Sequence, residues 1–200
     1  HASTPETVWQ HFGWTAEQAA QAGANPKMFN SFIDGTKSGI EMSAVCNAAG
    51  LTPPPDGLGF PPVTANDLAK VLKPQAAGGV LPYAGTVEVV SSLTRDMRPV
   101  PHHLQMGVYV VYEAPTEYAA RCLKEYWLLA DETGRYAGLY RPVHLIGLEL
   151  GISIASAALR GEPTGAPAGW QADVIATAKR DLRTGEILDG EGGYMVWGKI

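Results

Sequence analysis

Four polar residues recur at helical spacing near the start of the chain: Asn30, Asp34, Lys37 and Glu41. At ~100° per residue they share one narrow sector of a helix, while Phe29, Phe32, Ile33 and Ile40 occupy another. An amide, two carboxylates and an ammonium on one face suit work on a carbonyl or hydroxyl substrate. Lys37, flanked by two acids, can be held in place and donate to a developing alkoxide. Asp34 and Glu41 are the types that accept a hydroxyl proton or hold a divalent metal. Asn30 stands beside them as a substrate-binding candidate. The plainer alternative is a solvated face of ordinary Asp–Lys and Lys–Glu pairs. Gly35 and Gly39 weigh against it. Each costs a helix about 1 kcal/mol relative to Ala, and together they leave a bare line where a second backbone or a ligand can approach.

A second set lies at Arg141–His144, where a strand gives way to a helix. Arg141 is of the type that clamps a phosphate beside a helix N-terminus, and His144 is a further substrate-binding candidate. The competing reading pairs Arg141 with Glu149, an acid in an otherwise apolar stretch that needs a partner, either Arg141 or Lys37. His102-His103 sits in a loop with no carboxylate cluster nearby and reads as structural. Glu113 ends a strand, a position equally suited to a site or to a local cap. Lys179-Arg180-Asp181 reads as a turn, and Cys46 and Cys122 as core residues.

The elements that must position these groups follow from punctuation and periodicity. Thr4-Pro5-Glu6 starts a helix that stops near Gly13, and residues 15–22 form another. Asn25-Pro26 opens the longest helix, expected to run unbroken to Ala49 and end at Gly50. The Pro-rich run 52–62 is a rigid loop, and 64–72 a short helix. Strands are expected at 86–90, 107–113 and 135–140, with helices at 115–129 and 144–160. A Gly/Pro linker at 161–169 leads to a strand–turn–strand and a closing strand. This is an α+β (mixed α/β) pattern: helices on a mixed sheet, with the start of a small β unit at the end. It divides into residues 1–165, a catalytic, substrate-binding and dimerisation domain, and 170–200, a truncated β region.

Hydrophobic residues make up 46% of the 200, enough for a real core, and the net charge of −5 argues against nucleic acid as a partner. The longest apolar stretch, 145–159, is short and carries Glu149, so no membrane span is expected. Two cysteines without a CxxC pair fit a reducing, cytoplasmic setting. The chain starts at His1 and ends at Ile200 just after strand-like sequence, and is read as a fragment.

The segments MFNSFIDGTKSGIEMSAVCNAAGL, GVYVVYEAPTEY, GRYAGLYRPVHLIGLELGISIASAALR and ADVIATAKRDLRTGEILDGEGGYMVWGK together resemble the deoxyxylulose-phosphate-reductoisomerase-like (DRL) oxidoreductases, also described as homoserine-dehydrogenase-like proteins with a SAF domain. The resemblance covers nearly the whole chain. It implies an N-terminal Rossmann domain for NADP(H), then a catalytic domain that carries dimerisation, then a SAF-like β region. It also implies NADPH-dependent conversion of 1-deoxy-D-xylulose 5-phosphate to 2-C-methyl-D-erythritol 4-phosphate, a step towards isoprenoids. Lys37 matches the lysine of the family's DGTK motif, and Asn30, Asp34, Thr36 and Glu41 match positions around it, which makes Thr36 a further substrate-binding candidate. No GxGxxG loop is present, so the nicotinamide cofactor is expected to be bound mainly by a domain outside this chain. The alternatives are a homoserine-dehydrogenase-like ketone reduction without isomerisation, and a non-catalytic carbohydrate-binding or oligomerisation module.

Overall fold

Asn25 shows how local chemistry sets the element boundaries. Its side-chain oxygen accepts from the N–H groups of Lys27 and Met28, and Pro26 occupies the first helical position, where a missing N–H is no loss. The computed structural model describes residues 2–126 and 128–200. They fold into two compact units, His1–Leu58 with Pro167–Ile200, and Gly59–Ala166. The chain is therefore not divided in simple sequence order at 165–170. Its last 34 residues return to the N-terminal helices.

In the first unit, α1 (Val8–Phe12), α2 (Ala16–Gln21), α3 (Pro26–Ile33) and α4 (Thr36–Ala49) are followed, after the second unit, by an antiparallel pair, β4 (Ile175–Ala178) and β5 (Val196–Lys199). α2 opens with a reciprocal capping box between Thr15 and Gln18. Trp9, Phe12, Trp14 and Phe32 gather around Phe29 at centroid distances of 5.1–6.0 Å, the tilted and edge-on range that aromatic pairs favour.

The second unit holds α5 (Leu68–Val71), β1 (Val108–Glu113), α6 (Glu117–Glu125), β2 (Leu129–Ala130), β3 (Tyr136–Arg141) and α7 (Leu150–Ala155), which continues as a π-helical turn, Ser156–Arg160. Its sheet is antiparallel in the order β1-β3-β2. Val63, Ala65, Leu68, Leu72 and Leu104 form the core, with Tyr109 and Val111 of β1 packed on it. Burying such side chains contributes about 1.5–3 kcal/mol each. Beneath, Lys73 and Asp131 form a buried ion pair of 2.8 Å, with the Lys73 ammonium 5.6 Å from the Tyr136 ring centre.

The architecture is α+β, as the periodicity implies, with five differences, the first being that the strand–turn–strand and closing strand expected after the linker resolve into two strands, β4 and β5. The long helix breaks at Asp34-Gly35. Residues 86–90 belong to none of the strands, and the Glu88 carboxylate accepts from the Gly59 and Phe60 N–H groups. The helix expected from residue 144 starts at Leu150, since Gly147 holds φ 79. The helix expected at 115–129 ends at Glu125, and residue 127 lies outside the described residues.

Candidate functional site

The break between α3 and α4 makes the site. Asp34 ends α3 in helical geometry and Gly35 takes φ 92, a left-handed angle that favours glycine. The Asp34 carboxylate then accepts from the Thr36 N–H at 2.9 Å, satisfying one of the orphan donors that begin α4.

Asp34 is fully buried, and its second oxygen meets the Lys179 ammonium at 2.7 Å. Lys179 also donates to the carbonyls of Gly193 (2.9 Å) and Ser3 (3.2 Å), so all three of its protons are used. Asn30, also fully buried, donates to Gly192 O at 2.9 Å and Ser3 O at 3.2 Å. Its carbonyl oxygen has no hydrogen-bond partner among the described residues. Thr36 accepts from the Gly198 N–H at 2.8 Å. A Cβ on Gly39 would stand 3.2 Å from Gly198 O. The bare line along α4 thus admits the backbone of β5.

Asn30, Asp34 and Thr36 come together as the joint that fastens α3 and α4 to the C-terminal strands. The polar stripe is divided by the break. Lys37 is half-buried on the first turn of α4, and Glu41 is exposed one turn later. The acid that stands three residues before Lys37 is engaged by Lys179 instead. Sequence reading placed Lys179 in a turn. The signal that would have found it is Asp34 itself, an acid amid apolar helix positions that needs a partner once buried.

Arg141 and His144 belong to the second unit. Arg141 is exposed and ion-paired with Glu149, whose other oxygen accepts from the Leu145 N–H. These contacts, the Arg141 hydrogen bond foremost, hold the Glu149 carboxyl below its usual range. The His144 ring Nδ1 and backbone N–H both meet Met106 O at 2.8 Å. Glu113 is tied to Arg135 at 2.9 Å. His102 and His103 are exposed. Among the described residues no three His, Cys, Asp or Glu side chains converge as a metal site, so Asp34 and Glu41 gain no third ligand there.

Further along α4, the Asn47 side chain accepts from the N–H groups of Gln171 (2.7 Å) and Ala172 (3.0 Å) and donates to Ala172 O (3.0 Å). The segment it pins walls an open depression of about 390 Å³ with Pro167, Trp170 and Asp173 on its rim.

The catalytic-domain family described as "Oxidoreductase DRL, catalytic domain" matches residues 1–150. The chain belongs to the DRL oxidoreductase family. It carries an oxidoreductase catalytic domain. No curated protein matches it. The DRL match spans the α3–α4 joint, Lys37 and the whole of the β1–β3 sheet. The β1-β3-β2 sheet inside the match and the β4–β5 pair beyond it are both antiparallel. A dinucleotide cradle needs a parallel strand, glycine loop and helix, and the described residues do not build one. No helix among them is long and apolar enough to cross a membrane.

Proposed function

We propose that this domain supplies the substrate side of a NADP(H)-dependent reduction of a small hydroxyketone or sugar phosphate, with Lys37 holding or protonating the substrate oxygen. The observation that carries this reading is the setting of Lys37. It stands on the first turn of α4, on a backbone fixed by Asp34 and Thr36, and it enters no ion pair among the described residues. An ammonium at the positive end of a helix does not help the helix, so its position calls for another explanation. The N–H groups of Lys37 and Ser38 find no partner within the helix. Together with the ammonium they make an electropositive point suited to an oxyanion or a phosphate.

In this reading Lys37 donates and the first turn of α4 orients. Glu41, one turn on and in water, is the carboxylate free to accept a substrate hydroxyl hydrogen bond. Asp34, Asn30 and Thr36 act through the backbone they fix. Arg141 would meet a phosphate only in exchange for Glu149, and His144 only by releasing Met106 O. NADP(H) would be the hydride donor; no residue of this chain is assigned to its binding. The resemblance in DGTK and RPVHLIGLELG supports a reductoisomerase-like reaction in isoprenoid precursor synthesis, in the cytoplasm, with residues 170–200 as SAF-like sequence.

The test is nicotinamide absorbance of the intact protein with NADPH and, in turn, 1-deoxy-D-xylulose 5-phosphate and aspartate semialdehyde. Oxidation with the first and a rearranged carbon skeleton in the product supports the reductoisomerase-like reaction. Oxidation with the second alone points to simple carbonyl reduction. No oxidation with any ketone, aldehyde or sugar phosphate would overturn the proposal.

A further inference from the structure

The joint between α3 and the C-terminal strands brings together an amine, a carboxamide and a carboxylate. Lys179 and Asn30 draw on the same two acceptors. Both nitrogens donate to Ser3 O, at 3.2 Å each. Both also donate to Gly193 O, Lys179 at 2.9 Å and Asn30 at 3.4 Å. Two nitrogens that share two acceptors are held side by side. Asp34 stands one turn after Asn30, on the same side of α3, and holds the Lys179 ammonium at 2.7 Å. Asn30 and the Asp34 side chain are 0% exposed, and the Lys179 side chain 4%.

The carboxamide is oriented as well as buried. Its NH2 group meets the carbonyl oxygens of Ser3, Gly192 and Gly193. Turning the amide over would set its own oxygen against those three. Asn30 Oδ1 is therefore left on the other side, buried, with no hydrogen-bond partner among the described residues. An orphaned acceptor of this kind costs about 1–3 kcal/mol. What it lacks is a proton donor, and Asp34 becomes one on taking a proton from Lys179.

We propose that Lys179 and Asn30 condense into an isopeptide bond, an amide between the two side chains, with Asp34 as the acid–base group. The Lys179 ammonium gives a proton to the Asp34 carboxylate and becomes a neutral amine, the nucleophilic form of a lysine held away from water. Its Nζ attacks Asn30 Cγ while the Asp34 carboxylic acid donates to Oδ1. The Nζ–Cγ bond forms and the Cγ–Nδ2 bond breaks. Two protons of the former ammonium pass through Asp34 to the departing nitrogen, which leaves as ammonium, and Asp34 ends as a carboxylate. Nothing is oxidised or reduced. Fixed orientation supplies what a weak electrophile such as a carboxamide needs. The ion pair is the state before the step; the freshly folded chain carries it and converts slowly. The bond would tie α3 to the end of β4, parts of one unit that the whole second unit separates in sequence. Cross-links that close long loops restrict the unfolded chain most.

The test is the intact mass of the full chain, measured under denaturing conditions after incubation for days at mildly alkaline pH, below the unfolding temperature. A species short by one ammonia should accumulate in the wild type. Trypsin should then release residues 28–37 joined to residues 161–180, uncut after Lys179. Lys179→Arg keeps a cation beside Asp34 but has no nucleophilic amine, and should hold its full mass. Asp34→Asn, shown folded by circular dichroism, should form the link far more slowly. A wild type that keeps its full mass would overturn the proposal. So would loss of ammonia without the joined peptide, or the same loss in Lys179→Arg, which would mark cyclisation of Asn30 on its own backbone. A joined peptide short by one water would place the bond at Asp34 and overturn the assignment to Asn30. Linkage at the wild-type rate in Asp34→Asn would overturn the role given to Asp34.

Discussion

Asp34 and Lys179, 145 residues apart in sequence, meet at 2.7 Å with side chains 0% and 4% exposed. Removing one partner of such a pair leaves a buried charge without compensation, at a cost of about 3–5 kcal/mol, whereas replacing both by apolar groups is far milder. Lys179→Met should lower the urea midpoint accordingly, and Asp34→Leu with Lys179→Met should recover most of the loss. Equal losses in the single and double variants would show that the pair does not hold the joint.

The Thr36 hydroxyl accepts the buried Gly198 N–H at 2.8 Å. Thr36→Val keeps the shape and leaves that donor unsatisfied, which costs about 1–3 kcal/mol. Thr36→Ser keeps the acceptor and should stay closer to wild type. Denaturant unfolding of the two variants makes the comparison.

Gly39→Val tests the close approach of α4 to β5. A Cβ there already stands 3.2 Å from Gly198 O, and a branched side chain forces the backbones apart. Overpacking of this kind costs about 1–3 kcal/mol. An exposed glycine at the same place in a helix would instead gain from the change.

The second unit should weaken in acid. Burial pushes the Asp131 carboxyl up, but hydrogen bonds from Lys73, Thr133 and the Tyr136 N–H outweigh it, so the group lies below its ordinary value of 3.8. A depressed carboxylate contributes stability that is present above its unfolded-state value and lost as pH falls through the folded one. Wild-type stability should therefore decline as pH drops below about 4. Asp131→Asn should be less stable at neutral pH and show a flatter dependence over that range, as measured by thermal unfolding against pH.

Much of this fold is legible in the chain because its signals are local. Thr15, Asn25 and Thr116 cap the helices that follow them, and Gly13 and Gly50 end others with positive φ. The strands at 108–113 and 136–141 read directly from β-rich runs. The break at Asp34-Gly35 escapes periodicity because Gly35 alone leaves helical geometry, and the polar spacing in the sequence runs on across it. Residues 86–90 have strand composition, but membership of a strand depends on long-range pairing that composition does not report. The site is legible only as a set of residue types. That Asn30, Asp34 and Thr36 turn inward depends on Lys179, Gly193 and Gly198, which no local pattern connects to them.

The most direct test of the account is the steady-state rate of NADPH oxidation by the intact protein carrying Lys37→Met, with the substrate the wild type turns over, beside its thermal unfolding. Loss of a transition-state donor lowers kcat about 10²–10³-fold and leaves the unfolding temperature nearly unchanged, because the Lys37 side chain enters no ion pair among the described residues. A variant that turns over at the wild-type rate would contradict the role given to Lys37, and one that unfolds early would place Lys37 among the residues that hold the joint together.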